Sequence, residues 1–183
     1  GKRESGYVGK PLPGVEVRLV DENGELVAAG TPGEIQVKGP GVFLEYWQNP
    51  EATAKTFQDG WFCTGDFAVV ENDNHRILGR ISVDIIKTGG YKVSALEIEE
   101  VLRSHPEIQE CAVVGVDDLE WGERVCAALV LRSISSLTLA SFRSWAKEQL
   151  AVYKVPTRIL TVEELPRNAM GKVTKPAVTK LFG

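Results

Sequence analysis

The hydrophobic pattern of the chain changes near its middle, and the first half has the pattern of a β-rich domain. Short alternating or apolar runs at 15–20 and 33–39 are separated by turn residues such as Glu22-Asn23-Gly24. Runs of this length, bounded by Gly and Asn, are typical of β-strands. Residues 9–79 are therefore predicted to be mostly strand.

One short helix is expected within this β-rich half, at 49–57. Asn49 is suited to cap its first turn, and Pro50 follows at a position where a missing backbone N–H costs nothing. Asp59-Gly60 is expected to end the helix, because Asp and Gly are common where a helix stops.

The second half begins with residues at helical spacing. Ser94 and Glu97 have the spacing of a capping box, in which each side chain caps the backbone N–H of the other residue. We expect Pro106 to end this helix. Its apolar face is formed by Ile98, Val101 and Leu102.

Strands and a second helix are predicted to alternate in the rest of the chain. Apolar runs at 111–116 and 125–131 flank a polar turn at 117–123. Leu139, Phe142, Ala146 and Leu150 mark an amphipathic helix, and another strand is expected at 158–162. This order predicts an α+β fold.

Two domains are expected, a β-rich domain over 1–79 and a compact α+β domain over 80–183. A chain of 183 residues with 43% hydrophobic residues can bury a core in each. The net charge of −4 provides no broad basic surface, so nucleic acid is not expected as a partner. No apolar run approaches the roughly 18 residues that predict a membrane span, and residues 1–6 lack the apolar core of a signal peptide.

No metal site or disulfide framework is expected. Cys63, Cys111 and Cys126 lie far apart, and His75 and His105 are the two histidines of the chain. This spacing matches neither a zinc motif nor paired cysteines, and it fits a reducing compartment.

Asp66 and Arg80 are candidates for binding a nucleotide. Asp66 follows Thr64-Gly65, where a carboxylate can accept two hydrogen bonds from the vicinal hydroxyls of a ribose. The structural alternative is an Asx turn in which Asp66 caps its own backbone. The guanidinium of Arg80 suits phosphate or ribose oxygens, and its alternative is a surface salt bridge.

A second group of candidates lies on loops that contain glycine. Gly89-Gly90 can let the backbone approach a ligand closely, although a plain hairpin turn uses the same residues. Lys87 and Lys92 flank this pair, and most lysines are simply solvated. Lys172 follows Gly171 on a loop near the end of the sequence, from which it can reach into an active site and neutralise developing negative charge.

Taken together, these segments resemble the adenylate-forming superfamily, which comprises acyl-CoA synthetases, luciferases and the adenylation domains of nonribosomal synthetases. The amino-acid sequence at 79–97 and 165–172 is similar to that of the malonyl-CoA synthetases of plants and animals, within the acyl-CoA synthetase branch. The resemblance rests on five blocks in the family's order, at 33–47, 61–66, 79–99, 153–156 and 166–172.

The resemblance implies an ATP-dependent ligase that joins a carboxylate to AMP and then transfers the acyl group to the thiol of CoA. By position, Asp66 is expected to hold the ribose of ATP or AMP, and Arg80 to contact the same nucleotide. Lys172 is expected to bridge the attacking carboxylate and the α-phosphate. Gly89-Gly90 is expected to line the thiol tunnel in the second step.

Family members rotate the small C-terminal domain between the two steps. The resemblance implies that Lys92 faces the site in the first pose and Lys87 in the second. The family usually has Asp or Lys two positions after the arginine, whereas this chain has Ser82. The pivot is therefore expected anywhere from Ser82 to Asp84.

Several family blocks precede these in the superfamily: the phosphate loop, the magnesium segment, the adenine-binding block and the acyl pocket. The chain is thus expected to be the C-terminal part of a synthetase, inactive alone, whose Mg²⁺ ligands and large N-terminal domain lie elsewhere in the polypeptide. Malonate or another short carboxylate is the expected substrate. The cytoplasm is the expected location, with the mitochondrial matrix as the alternative. The alternatives are an adenylation domain that loads a carrier protein and a non-catalytic binding module.

Overall fold

The chain divides into two compact units, Gly1–Ser82 and Val83–Gly183. A computed structural model describes residues 7–132 and 137–183. Residues 1–6, for which the sequence predicts no signal peptide, lie outside the described part. Both units combine sheet and helix, so the predicted α+β class is confirmed.

The first unit is built on an antiparallel sheet. Its elements are β1 (Tyr7–Gly9), β2 (Glu16–Val20), β3 (Gly33–Lys38), α1 (Pro50–Thr56), β4 (Phe57–Gln58), β5 (Trp61–Glu71) and β6 (Asn74–Arg80). The strands lie in the order β1-β6-β5-β3-β2, with β4 added beside β5. Side chains that alternate along these strands pack Leu19, Ile35 and Ala68 into its core.

The predicted helix is confirmed as α1, but its predicted end was wrong. Asn49 caps it, because its side-chain oxygen accepts from the backbone N–H of Ala52 at 3.0 Å. The helix ends at Thr56, and the next two residues pair with β5 as β4. Asp59 and Gly60 both have positive φ and form the two-residue turn between these strands.

The second unit contains a five-stranded sheet. Its elements are β7 (Ile85–Thr88), β8 (Tyr91–Ser94), α2 (Ala95–Leu102), β9 (Ile108–Asp118), β10 (Gly122–Leu131), α3 (Leu139–Gln149), β11 (Arg158–Thr161) and α4 (Lys175–Thr179). The strands lie in the order β11-β10-β7-β8, with β9 paired to β10. The pairing of β10 with β11 is parallel, whereas β9 and β7 run antiparallel to β10.

Both faces of the central strand β10 are covered. Val125, Ala127 and Leu129 face a core that includes Ile98 and Leu102 of α2 and Phe142 of α3. The intervening Cys126, Ala128 and Val130 face a second cluster with Leu165, Val178 and Phe182. A strand buried on both faces explains the continuous apolar run in the sequence.

Several element boundaries in this unit differ from the prediction. The strands β9 and β10 extend into the predicted polar turn, where Asp117 pairs with Glu123. These polar residues belong to the ladder because the carboxylate of Asp118 accepts from the backbone N–H groups of Glu120 and Trp121 and so tightens the turn. The helix α2 ends at Leu102, four residues before Pro106.

Candidate functional site

Asp66 and Arg80 lie opposite each other on β5 and β6 of the first unit. The Nε of Arg80 contacts Oδ1 of Asp66 at 2.8 Å, and the two side chains are 60% and 34% exposed, respectively. An ion pair this exposed contributes about 0–1 kcal/mol to stability. The structure therefore brings together two side chains that the sequence predicts to hold the same ligand, and it also contains the salt bridge that was the alternative for Arg80.

The backbone before Asp66 is fixed by neighbouring side chains. Thr64 Oγ1 accepts from the Asp66 N–H at 3.0 Å and donates to the Ile35 carbonyl at 2.8 Å. Gly65 has a φ of 72°, and its N–H donates to Glu34 Oε1 at 3.0 Å. An Asx turn was the structural alternative for Asp66, but Thr64 caps this turn, and the Asp66 carboxylate contacts Arg80.

Glu34 is a residue that the sequence reasoning missed. It lies on β3 and reaches the turn of β5 through its side chain. Its position within the family block at 33–47 could have marked Glu34 as a candidate. Its contact with Gly65 depends on β3 lying beside β5, and hydrophobic periodicity does not predict the order of strands in a sheet.

An ionised carboxylate accepts up to about four hydrogen bonds. The contact with Arg80 uses one position on Oδ1. Asp66 therefore retains acceptor capacity for a pair of neighbouring hydroxyl groups, with the guanidinium beside them for a negatively charged oxygen. This pair can bind the diol of a sugar and a nearby anion together.

Gly89 and Gly90 form the two-residue turn between β7 and β8 in the second unit. Their φ angles are 55° and 81°, and Thr88 pairs with Tyr91 across the turn. Both glycines are therefore required by a type I′ hairpin, which was the plain alternative. The Gly89 N–H also donates to the Trp121 carbonyl at 2.9 Å.

The indole of Trp121 packs directly on Gly89. A Cβ at this glycine would meet Trp121 Cε3 at 2.9 Å, whereas a Cβ at Gly90 would meet nothing within 4 Å. Trp121 is 47% exposed and was missed in the sequence, because it lies in the predicted polar turn. The turn therefore joins a glycine backbone to an exposed aromatic surface.

Lys87 and Lys92 are direct cross-strand partners on β7 and β8. Their side chains leave the same face of the hairpin, and both are exposed. Two like charges opposite each other are unfavourable by a few tenths of a kcal/mol to about 1 kcal/mol. This arrangement suits a face that meets negative charge.

Aromatic residues continue this surface. Tyr91 at the start of β8 stacks on Tyr153, with ring centroids 4.3 Å apart and an angle of 12° between the planes. Beside them, Lys154 Nζ contacts Glu97 Oε1 at 2.7 Å. Ser94 Oγ caps the Glu97 N–H at 3.1 Å as predicted, while the Glu97 carboxylate reaches Lys154.

Lys172 lies on a small exposed turn. Asn168 holds this turn, because its Oδ1 accepts from the N–H groups of Met170 and Lys172, both at 3.0 Å. Gly171 has a φ of 76°, and Arg167 bridges to Val173 across the base. In residues 7–132 and 137–183, the ammonium of Lys172 has no hydrogen-bond or ion-pair partner. The side chain is exposed and its backbone is fixed, as a residue that reaches a ligand requires.

The segment between the units is fixed at both ends. The Ile81 N–H donates to the Gly65 carbonyl at 2.9 Å in the first unit. Asp84 belongs to the second unit, where its carbonyl accepts from the Ala95 N–H at 2.7 Å and its carboxylate contacts Lys175 at 3.1 Å. Ser82 and Val83 lie between these anchors.

Cys111 and Cys126 are buried core residues, and Cys63 is half-buried. Burial raises the pKa of the Cys111 thiol to about 11, and burial also raises the pKa values of Cys63 and Cys126. Among the described residues, no three His, Cys, Asp or Glu side chains are grouped so as to hold a metal ion. Over the same part of the chain, no helix has the length and apolar character needed to cross a membrane.

Two family profiles match this chain. The AMP-binding enzyme C-terminal domain matches residues 97–172, and the AMP-binding enzyme matches residues 1–47. The chain belongs to the AMP-binding enzyme family. The predicted membership of the adenylate-forming superfamily is thereby confirmed, and the first match includes Lys172.

Curated relatives of this chain include malonate–CoA ligases. The mitochondrial malonate–CoA ligase ACSF3 of Mus musculus is 50% identical over 198 residues, which cover 97% of this chain and 34% of that enzyme. The malonate–CoA ligase of Arabidopsis thaliana is 47% identical and covers 98% of this chain and 31% of that enzyme. The chain spans about a third of the length of these relatives.

Solved structures of AMP-binding enzymes share the fold. ATP-bound MatB from Rhodopseudomonas palustris matches with a TM-score of 0.88 and 39% identity, covering 100% of this chain and 37% of MatB. The o-succinylbenzoate CoA synthetase MenE from Bacillus subtilis, in complex with the acyl-adenylate OSB-AMP, matches with a TM-score of 0.83 and 36% identity, covering 94% of this chain and 35% of MenE.

Proposed function

We propose that this chain is the C-terminal part of an ATP-dependent acyl-CoA synthetase, which forms acyl-AMP and then acyl-CoA. The observation that carries the proposal is Lys172, an exposed lysine on a turn whose backbone is fixed by Asn168. This turn lies in a segment that matches the AMP-binding C-terminal domain. About half of the residues are identical to those of a malonate–CoA ligase.

In the first step, Asp66 accepts hydrogen bonds from the 2′ and 3′ hydroxyls of the ribose of ATP. Arg80 contacts the same nucleotide through its guanidinium. The ion pair between Asp66 and Arg80 at 2.8 Å supports this assignment, because it holds both groups on one face before a ligand arrives. Groups that are already in place do not have to be reorganised during binding.

Lys172 stabilises negative charge as the carboxylate attacks the α-phosphate. Charge on the oxygens grows only as the bond forms, so a positive group placed there lowers the barrier more than it strengthens substrate binding. The fixed turn supports this role, since it limits the motion of Lys172 to its side chain.

In the second step, the Gly89-Gly90 turn lines the path of the CoA thiol. The exposed Trp121 and the stacked Tyr91 and Tyr153 border this turn and offer an apolar wall. Lys92 serves the first pose and Lys87 the second. Both side chains leave one face of the hairpin, so each pose presents both ammonium groups, and the assignment concerns which of the two contacts the ligand in that pose.

Two poses require a pivot, and we place it at Ser82 or Val83. Ile81 is bonded within the first unit and Asp84 within the second, so the backbone between them can absorb the change in φ and ψ. The pivot was expected anywhere from Ser82 to Asp84, and this proposal excludes Asp84 because its carbonyl and carboxylate are bonded within the second unit.

Malonate or a similar short carboxylate is the proposed substrate, with ATP and CoA, and the similarity to malonate–CoA ligases supports it. Mg²⁺ neutralises phosphate charge in such reactions. Its ligands and the large N-terminal domain belong to the remainder of the polypeptide. The mitochondrial relatives support the matrix as a location beside the cytoplasm.

The test uses the full-length protein with ATP, Mg²⁺ and a panel of short carboxylates. Pyrophosphate, acyl-AMP and acyl-CoA are measured separately, with CoA or a phosphopantetheinyl carrier protein as acceptor. We expect acyl-CoA to form and Asp66→Asn to raise the KM for ATP about tenfold or more. Acyl transfer to the carrier alone would support the adenylation domain, and the absence of any adenylate would contradict the proposal.

A further inference from the structure

A cluster of buried charges lies behind the turn that carries Lys172. The Nζ of Lys175 contacts Glu99 Oε1 at 2.7 Å, Asp84 Oδ1 at 3.1 Å and the Val113 carbonyl at 3.0 Å. The side chains of Lys175, Glu99 and Asp84 are 14%, 6% and 13% exposed, respectively. An ammonium has three N–H donors, so these three acceptors match its full capacity.

Glu99 ties this cluster to the sheet. Its Oε1 also accepts from the Val113 N–H at 2.8 Å, and its Oε2 contacts Arg103 at 3.3 Å. The cluster therefore joins the first residue of α4 to helix α2, to strand β9 and to the turn before β7. These contacts come from four separate elements of the second unit.

The position of Lys175 in the chain gives this cluster a consequence for Lys172. Lys175 begins α4, and two residues separate it from Lys172. Val173 bridges to Arg167, and the Thr174 N–H donates to the Pro166 carbonyl at 2.9 Å. Both residues between Lys172 and Lys175 are therefore held by backbone contacts.

The other end of the turn is tied down separately. Arg167 donates to the Gly171 carbonyl at 2.8 Å and forms an ion pair with Glu110 on β9. That ion pair is about 40% exposed on both sides, so solvent and salt weaken it. The buried contacts of Lys175 are the stronger of the two anchors.

Stability alone is a poor reason for such a cluster. A buried ion pair gains little over apolar side chains of similar volume, because removing both charges from water is costly. The three hydrogen bonds of the Lys175 ammonium define both distances and angles, so they fix the position of the backbone at the start of α4 more closely than apolar packing does.

We propose that Lys175 is a positioning residue for Lys172. Its ammonium is locked between Glu99, Asp84 and Val113, and this fixes where α4 begins and hence where the Lys172 backbone stands. The inference rests on the proposed role of Lys172 in adenylation. Displacement of a reacting group by about 1 Å can cost up to about 100-fold in rate, so a loosened anchor is measurable in the first half-reaction.

The experiment is a double-mutant cycle in the full-length protein with Lys172→Ala and Lys175→Met. We expect Lys175→Met to lower kcat for acyl-AMP formation about 10- to 100-fold, and to change the rate of thioester formation from supplied acyl-AMP less than about threefold. In the Lys172→Ala background it should cause no further loss of adenylation, because the group that it positions is absent. Lys175→Arg should restore part of the rate, and the exposed Lys180→Met should leave both steps unchanged.

Three results would overturn the inference: equal losses in both half-reactions, a Lys175→Met effect that multiplies with that of Lys172→Ala, or a Lys175→Met variant with full adenylation. Where Lys175→Met does not fold, the cycle is run with Asp84→Asn, which retains a hydrogen-bond acceptor, and the same outcomes decide. Should Lys172→Ala itself leave adenylation intact, the proposed function of Lys172 has failed, which distinguishes that failure from failure of the inference.

Discussion

Removal of the Glu99 carboxylate is expected to destabilise the second unit strongly. Glu99→Ala leaves the ammonium of Lys175 with two of its three acceptors and removes the partner of the Val113 N–H. Loss of one partner from a buried pair costs about 3–5 kcal/mol, and because the contact with Asp84 remains, we expect a loss of about 3 kcal/mol. That is a large part of the roughly 5–15 kcal/mol that holds an average domain together.

Hydrogen exchange measured by mass spectrometry suits this prediction, because it reports on the two units separately. A loss of about 3 kcal/mol corresponds to roughly 100-fold faster exchange of the slowest amides in β9 and β10. The strands of the first unit should keep their exchange rates. We expect this contrast at neutral pH in the 183-residue chain.

The matched control is Glu51→Ala, which removes another Glu–Lys pair. Glu51 and Lys55 are 80% and 74% exposed, so their i,i+4 contact contributes about 0.3–0.5 kcal/mol. Exchange in Glu99→Ala that differs from the control by less than about tenfold would show that the Glu99 carboxylate does not stabilise the second unit in this way. A uniform acceleration of both units would contradict this role as well.

Three further predictions concern the core thiol, the glycine turn and the pivot. Burial raises the pKa of Cys111 to about 11, so the thiol ionises in the unfolded chain before it ionises in the folded one, and the free energy of unfolding should fall between about pH 9 and 11 by an amount on the order of 2–3 kcal/mol. Denaturation at several pH values should show this fall in stability. If the same fall persisted in Cys111→Ala, another group would be its cause. Gly89→Ala introduces a Cβ at 2.9 Å from Trp121 and a strained φ. It should slow thioester formation more than adenylation and destabilise the second unit more than Gly90→Ala does. Equal losses in the two half-reaction rates would argue against a role of this turn in the thiol tunnel. Ser82→Pro fixes a φ angle within the proposed pivot, so it should hinder the change between the two poses. The overall rate of acyl-CoA formation should then fall more than the rate of the less affected half-reaction. An unchanged overall rate in steady-state assays would place the pivot elsewhere.

The elements that the sequence predicted well are those with a regular apolar period. Phe142 and Ala146 mark the buried face of α3, and the apolar residues of β10 fall alternately on two packed faces. Asn49 and Ser94 acted as caps because a side-chain oxygen next to free N–H groups is a local feature. Local chemistry of this kind can be recognised without knowledge of the tertiary fold.

The errors lie where distant contacts decide the structure. Asp117 and Glu123 have the polarity of a loop but extend a ladder between two long strands. The role of Lys175 depends on Glu99 and Asp84, which are 76 and 91 residues away in sequence. No periodicity connects such residues.

The candidate site was predicted in part. The sequence indicated that Asp66 and Arg80 serve one ligand, and they lie as neighbours on adjacent strands. It did not indicate that Trp121 packs on the Gly89 turn or that Tyr91 stacks on Tyr153, because these contacts join segments that fold together only in the sheet. The roles of these residues in the two steps remain predictions.

Single-turnover kinetics of Lys172→Ala in the full-length protein decides whether Lys172 acts in adenylation alone. Acyl-AMP formation is measured from carboxylate and ATP, and thioester formation is measured from supplied acyl-AMP and CoA, with the exposed Lys147→Ala as the control. We expect a loss of about 100- to 1,000-fold in adenylation, with thioester formation within about threefold of the parent. Equal losses in both steps, or adenylation at the rate of the control, would show that Lys172 does not have this role.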